Sequence, residues 1–196
     1  MSSSYYLWHY TNYKGLKGIL MEEAFDPLRT KGKERYDYLD CENRRIPKVC
    51  FTSISQSNVV DTNIHRGKYG QCCIGLTQSW GKEKQLNPII YCRKNSLLTN
   101  ILKPIVAQYP ELLNFCKQYS DAGDQCSEEM KRELRRFDER EWRYIPQDQD
   151  YSSKLSFGPR DVKYIYVENE EQKEELRKIC KKYIRKIKVH PNNKSK

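Results

Sequence analysis

Apolar positions crowd into short runs separated by long polar stretches, and the spacing inside each run predicts its element. Tyr5 to Thr11 is a nearly continuous aromatic and aliphatic run that reads as a strand. Leu16, Ile19 and Leu20, at i, i+3 and i+4, predict a helix over Tyr13 to Glu23 with one buried stripe. Lys48 to Ser53, Gln71 to Thr77, Pro88 to Cys92, Trp142 to Ile145 and Val162 to Val167 predict further strands, the last alternating through Tyr164 and Tyr166. Leu98, Ile101, Leu102, Ile105, Val106, Leu112, Leu113 and Cys116 predict helices between Leu97 and Tyr119, broken at Pro104 and Pro110. Ser127, followed by Glu128 and Glu129, caps another helix over Ser127 to Arg136. Glu170 to Lys188 reads as one helix with Leu176, Ile179, Cys180, Tyr183, Ile184 and Ile187 on one side. Phe25 to Arg45 reads as an exposed loop, Ile54 to Lys68 as polar and poor in aliphatic pairs with a turn at Asp61 to Gly67, Phe157-Gly158-Pro159 as a turn, and 191–196 as a disordered tail.

These elements predict an α+β fold, a twisted and split antiparallel sheet flanked by helices. At 196 residues, one domain over 1–190 accounts for the chain. The formal charge is +10, with 36 Lys and Arg against 26 Asp and Glu, and tyrosine leads the aromatics at 15. Such a surface suits a nucleic-acid or nucleotide partner, since Lys and Arg displace counterions and Tyr stacks on bases. A solvated, lysine-rich surface explains it equally well. The terminal helix, acidic at Glu170 to Glu175 and basic from Arg177, complements its own dipole.

The eight cysteines are scattered without a Cys-x-x-Cys pair, and His9, His65 and His190 do not complete a zinc pattern. No apolar stretch approaches the ~20 residues of a membrane span, and the start lacks the basic and apolar regions of a signal peptide. A reduced, cytoplasmic protein with no membrane anchor is therefore expected. P-loop, dinucleotide-fold and zinc-protease motifs are missing from the sequence.

Two segments place titratable groups among aromatics on predicted strands. These are Leu7-Trp8-His9-Tyr10-Thr11 and Glu139-Arg140-Glu141-Trp142-Arg143-Tyr144. Trp142 is positioned to cover one side of Glu141 and aim it into a cleft, and Glu139, two residues away on a strand, would share that face. An ion-pair ladder with Arg140 and Arg143 is the structural alternative. For His9 the alternative is a half-buried ring bonded to backbone. His65, in Asn63-Ile64-His65-Arg66-Gly67, sits where a phosphate-binding turn and a solvated one look alike.

The His-Tyr-Thr opening with its turn and helix, Cys50-Phe51-Thr52-Ser53, Tyr69-Gly70, Ile74-Gly75-Leu76, Asn87-Pro88 and Glu139 to Tyr144 resemble the AbiGi family of abortive phage resistance proteins, described as antitoxins. The resemblance spans 5–167. More distantly, the opening and the late glutamate resemble ADP-ribosyltransferases, including DNA-modifying toxins. That second resemblance implies an NAD-binding cleft lined by His9, Tyr10, Thr11, Thr52, Ser53 and Tyr69. His9 would lie against the adenosine ribose and Tyr69 would stack on nicotinamide. Glu141 would stabilise the cationic ribose as the nicotinamide bond breaks, because a carboxylate interacts more strongly with that transition state than with the ground state. With Glu139 on the same strand face, one carboxylate would orient NAD and the other activate an acceptor. Only Thr52 and Ser53 match the relatives' Ser-Thr-Ser pattern, since Phe51 occupies its first position. Two functions follow as expectations: a phage-defence protein transferring ADP-ribose from NAD to nucleic acid or protein, and a noncatalytic antitoxin acting on a partner toxin or nucleic acid.

Overall fold

The computed structural model describes residues 5–29, 36–42, 46–61, 69–119, 140–147 and 152–191. It is a mixed fold of helices and mostly antiparallel strands. The chain forms two compact units interleaved in sequence. Unit 1 holds 1–26, 50–85 and 154–196, and unit 2 holds 27–49 and 86–153. The expected helix over Ser127 to Arg136, together with His65 and residues 192–196, lies outside the described residues.

Unit 1 is built on five neighbouring strands: β1 (Tyr5–Thr11), β3 (Val49–Ser55), β4 (Cys72–Thr77), β10 (Val162–Val167) and β11 (Ile187–Val189). Their order is β11, β10, β4, β1, β3, antiparallel throughout except for the β10–β11 edge. Trp8 on β1 organises one face. Its indole N–H donates to the Ile54 carbonyl at 3.2 Å. Its ring stacks beside Tyr164 and Tyr166, each centroid 5.8 Å away. Gly75 on β4 makes room for it, because a Cβ there would lie 2.7 Å from the indole. The opposite face packs Phe25 against Phe51 and Phe157, both centroids at 5.2 Å. Helix α1 (Tyr13–Glu22) buries Leu16, Ile19 and Leu20, as its spacing predicts, and Asn12 caps it by accepting the Gly15 N–H at 2.7 Å. Strand β2 (Ala24–Phe25) follows, and later pairs with β9 (Leu155–Ser156).

Gln56–Asp61, in a polar stretch for which the sequence predicts no element, is a short helix, α2. One expectation in unit 1 needs correction. The single helix over Glu170 to Lys188 is three elements: a helix over Glu170–Ile179, a 3-10 turn over Lys181–Tyr183, and β11. Cys180 leaves helical backbone at φ −106°, ψ 59°. Beyond it, Ile187 and Val189 alternate with exposed Lys188 and pair in parallel with Ile165 and Val167. The sheet edge thus overrides a helical periodicity, and leaves Ile179 and Ile184 exposed.

Unit 2 contains β5 (Asn87–Pro88) paired antiparallel with β8 (Glu141–Tyr144), and β6 (Ile90–Arg93) paired in parallel with β7 (Cys116–Tyr119). Pro88 to Cys92 is therefore two strands with different partners. Cys116 to Tyr119, expected as helix, is β7. Helices α3 (Gln78–Glu83, in unit 1) and α4 (Leu97–Gln108, in unit 2) follow strands β4 and β6, and α4 runs through Pro104 without a break. The core of unit 2 gathers Tyr36, Tyr38, Leu39, Ile46, Cys92, Val106, Leu113 and Cys116. Tyr36, Tyr38 and Leu39 come from the stretch read as an exposed loop, and Phe25 at its start is buried in unit 1. A few apolar residues scattered through a charged stretch give little periodic signal, yet each aromatic among them buries a large apolar area.

Candidate functional site

The strand register divides the nucleotide-binding candidates of unit 1 between two faces. Leu7 lies opposite Ser53 and Trp8 opposite Thr52. Side chains alternate along a strand, so His9, Thr11 and Ser53 share one face while Tyr10 and Thr52 lie on the other. Tyr10 joins Trp8, Ile54, Val59, Cys73 and Tyr166 in a buried cluster. On the first face, His9 Nδ1 lies 3.0 Å from the Cys50 carbonyl oxygen, and its ring packs against Phe25 and Phe51. Burial holds the His9 pKa below its ordinary value, against the smaller opposing effect of the Cys50 hydrogen bond. The neutral ring then donates from Nδ1. Ser53 Oγ takes part in a 2.8 Å hydrogen bond donated by Gln78 Nε2. Tyr69 is exposed, and the adjacent Gly70, at φ +123°, presses on the Thr11 backbone so closely that a Cβ would lie 2.3 Å from it. The Tyr69 backbone is thereby held next to the end of β1.

Glu141 belongs to unit 2, at the first residue of β8. Glu141 and Arg143, two apart on the strand, face the same way and are 7% and 1% exposed. Arg143 Nε donates to Glu141 Oε1 and Lys117 Nζ to Oε2, each at 2.6 Å. Arg143 Nη1 donates to the Asn114 carbonyl at 2.7 Å. Burial alone would push the Glu141 pKa up; the Arg143 and Lys117 charges and hydrogen bonds outweigh it and hold the carboxyl well below the usual range. Trp142 sits at the alternate position of the strand, so the residues flanking the carboxylate are cations and not the indole. Arg140, immediately before β8, has φ 43°. Glu139 lies outside the described residues.

Lys117 and Asn114 escaped the sequence reading because they come from a stretch read as helix. The structure puts Lys117 on β7, opposite Tyr91 of β6. Arg143 had a usable signal, its i+2 spacing from Glu141. Cys116, in the same unit, has its thiol pKa lowered by a hydrogen bond from Cys92 and by the Arg143 charge. The seven described cysteines are free thiols, and among the described residues no group of three or more His, Cys, Asp or Glu is arranged to hold a metal. No described helix is long and apolar enough to cross a membrane.

Residues 14–153 match the family model described as "Putative abortive phage resistance protein AbiGi, antitoxin". The match contains all of unit 2 and starts after His9, Tyr10 and Thr11. No curated protein matches the chain, and no solved structure does.

Proposed function

Because the chain belongs to the AbiGi family, we propose that it serves phage defence as a noncatalytic antitoxin that binds a partner toxin protein. The observation that carries this reading is the condition of Glu141. Both of its oxygens are hydrogen-bonded to cations inside unit 2. A catalytic carboxylate accelerates bond breaking only by interacting more strongly with the transition state than with the ground state. A charge already compensated by Lys117 and Arg143 has little left to add. His9 and Ser53 are likewise engaged, one with backbone and one with Gln78.

The competing reading is ADP-ribosyl transfer from NAD, with the dinucleotide against His9, Thr11 and Tyr69 and with nucleic acid or protein as acceptor. It draws support from Gly70, which brings the exposed Tyr69 to the end of β1. One experiment separates the two. The purified chain is incubated with NAD labelled in its adenylate half, together with nucleic acid and cell lysate. The noncatalytic reading expects no transfer of label. Transfer that disappears in Glu141→Gln at an unchanged melting temperature would overturn it.

A further inference from the structure

The charge gradient near the end of the chain loses its helical explanation in the structure. A helix dipole favours cations only in the last turn, and the helix over Glu170–Ile179 keeps just Arg177 and Lys178 there. Lys181, Lys182, Arg185, Lys186 and Lys188 lie beyond it, from the 3-10 turn to edge strand β11. Contacts inside unit 1 account for two of them. Lys182 pairs with Glu23 at 2.7 Å, and Lys186 donates to the Pro159 and Val162 carbonyls. Lys181, Arg185 and Lys188 are exposed and enter no ion pair among the described residues. Exposed Lys163 on neighbouring β10 joins them. Burial first, and then the Lys163 charge, hold the Lys186 pKa below its ordinary value. Asp161, which opposes that shift, accepts the Gly158 N–H at 2.7 Å. The acids of the helix are engaged with other partners: Glu175 with Lys17 and Tyr13, Glu170 with Lys173, and Glu174 with Arg177.

Lysines commonly blunt an edge strand, which accounts for cations at β11 but not for the ring beside them. Lys188 lies opposite Tyr166, and its Nζ reaches back to 5.3 Å from the centroid of Tyr164, on the same face of the sheet. Tyr164 is half-buried, as is Tyr6, which packs edge-on against it at 5.2 Å. Because Lys188 is exposed, the side of the Tyr164 ring that it covers is turned toward solvent. We propose that this edge of unit 1 binds single-stranded nucleic acid, with an unpaired base stacked on Tyr164 and the flanking phosphates held by Lys188, Arg185, Lys181 and Lys163. Cations bound to phosphates release condensed counterions. A tyrosine ring takes any unpaired base, whereas a duplex keeps its bases stacked on each other and offers only its charge. Every residue named lies in unit 1 and after residue 153, outside the segment matched by the family model, so the proposal is independent of the toxin-binding reading.

Fluorescence anisotropy of the full chain with a short labelled single strand, and with the same strand in a duplex, tests the proposal. The expected result is tighter binding to the single strand, with an affinity that falls as salt rises. Arg185→Gln and Lys188→Gln should each lower the slope of log affinity against log salt by about 1. Both residues are exposed, so these variants should keep the parent's melting temperature. Tyr164→Leu keeps an apolar side chain without the ring; it should weaken the single strand at least about fivefold while leaving duplex binding and the salt slope unchanged. No binding at low salt overturns the proposal and leaves the cations as protection of a sheet edge. Binding of equal strength to the duplex and to polyglutamate also overturns it, because the edge is then a general anion surface. So does single-strand binding that none of the three substitutions changes.

Discussion

Unit 1 and unit 2 distribute polarity in opposite ways. Unit 1, at +8, fills its sheet faces with Trp8, Tyr166, Phe25 and Phe51, and its candidate His9 is tied to a backbone carbonyl. Unit 2 carries little net charge. It buries an ionised carboxylate with its arginine and places Leu97, Leu98, Ile101 and Ile105 on the outside of α4. A buried ion pair stabilises less than apolar packing of similar volume, and an exposed aliphatic ridge stabilises nothing in the monomer. The difference teaches that the features of unit 2 are those expected where specificity and contact with another molecule have shaped the sequence, while the sheet faces of unit 1 are organised around packing.

Substitutions at the two centres give the largest effects. Trp8→Ala should cost about 3–5 kcal/mol through the lost ring and its cavity, and Glu141→Gln about 3–5 kcal/mol by stranding Arg143 and Lys117 without a counter-charge. Urea unfolding of both variants checks this. A near-silent Glu141→Gln would erase the contrast, since the triad would then be dispensable. The pH dependence is smaller and distinguishes the units by window. His9, depressed below its ordinary 6.5 by burial, should make unit 1 lose stability as pH falls below about 6.5. The depressed Glu141 keeps its full contribution above the unfolded carboxylate range near ~4.3 and loses it as pH falls further. Midpoints measured from pH 7 to pH 3 should therefore fall in two stages. His9→Gln should remove the upper stage, and Glu141→Gln should flatten the lower. Asn12→Ala is the mildest. Losing the cap on α1 should cost about 1 kcal/mol, detectable as a small shift in melting temperature.

Much of unit 1 was legible. Strand β10 falls on the residues its alternation predicts, and α1 ends within one residue of expectation, because local spacing and caps agree there with the tertiary environment. The rest was hidden for physical reasons. Tyr36, Tyr38 and Leu39 lie in a charged stretch whose apolar character is carried mostly by aromatics, and their burial depends on partners some 55 to 80 residues away. Ile187 fits a helical stripe that the edge of β10 overrides. At the candidate site, Glu141 and Arg143 were visible as an ion-pair ladder. Whether that ladder lay on the surface or in a core depended on Lys117, which helical spacing had placed on the wrong element.

The position of β10 in the sheet sets an order of folding. Strand β4 pairs on one side with β1 and on the other with β10, which arrives about 90 residues later in the chain. Every stretch of unit 2 precedes residue 154, so during synthesis unit 2 has its whole sequence while β4 still lacks its partner on the β10 side. Long-range pairings of this kind fold slowly and leave an unsatisfied edge exposed in the interval. A chain halted after residue 153 would retain the whole segment matched by the family model and present β4 as a template for association with other strands. Completion of residues 154–191 is thus the step at which unit 1 stops being a hazard to itself.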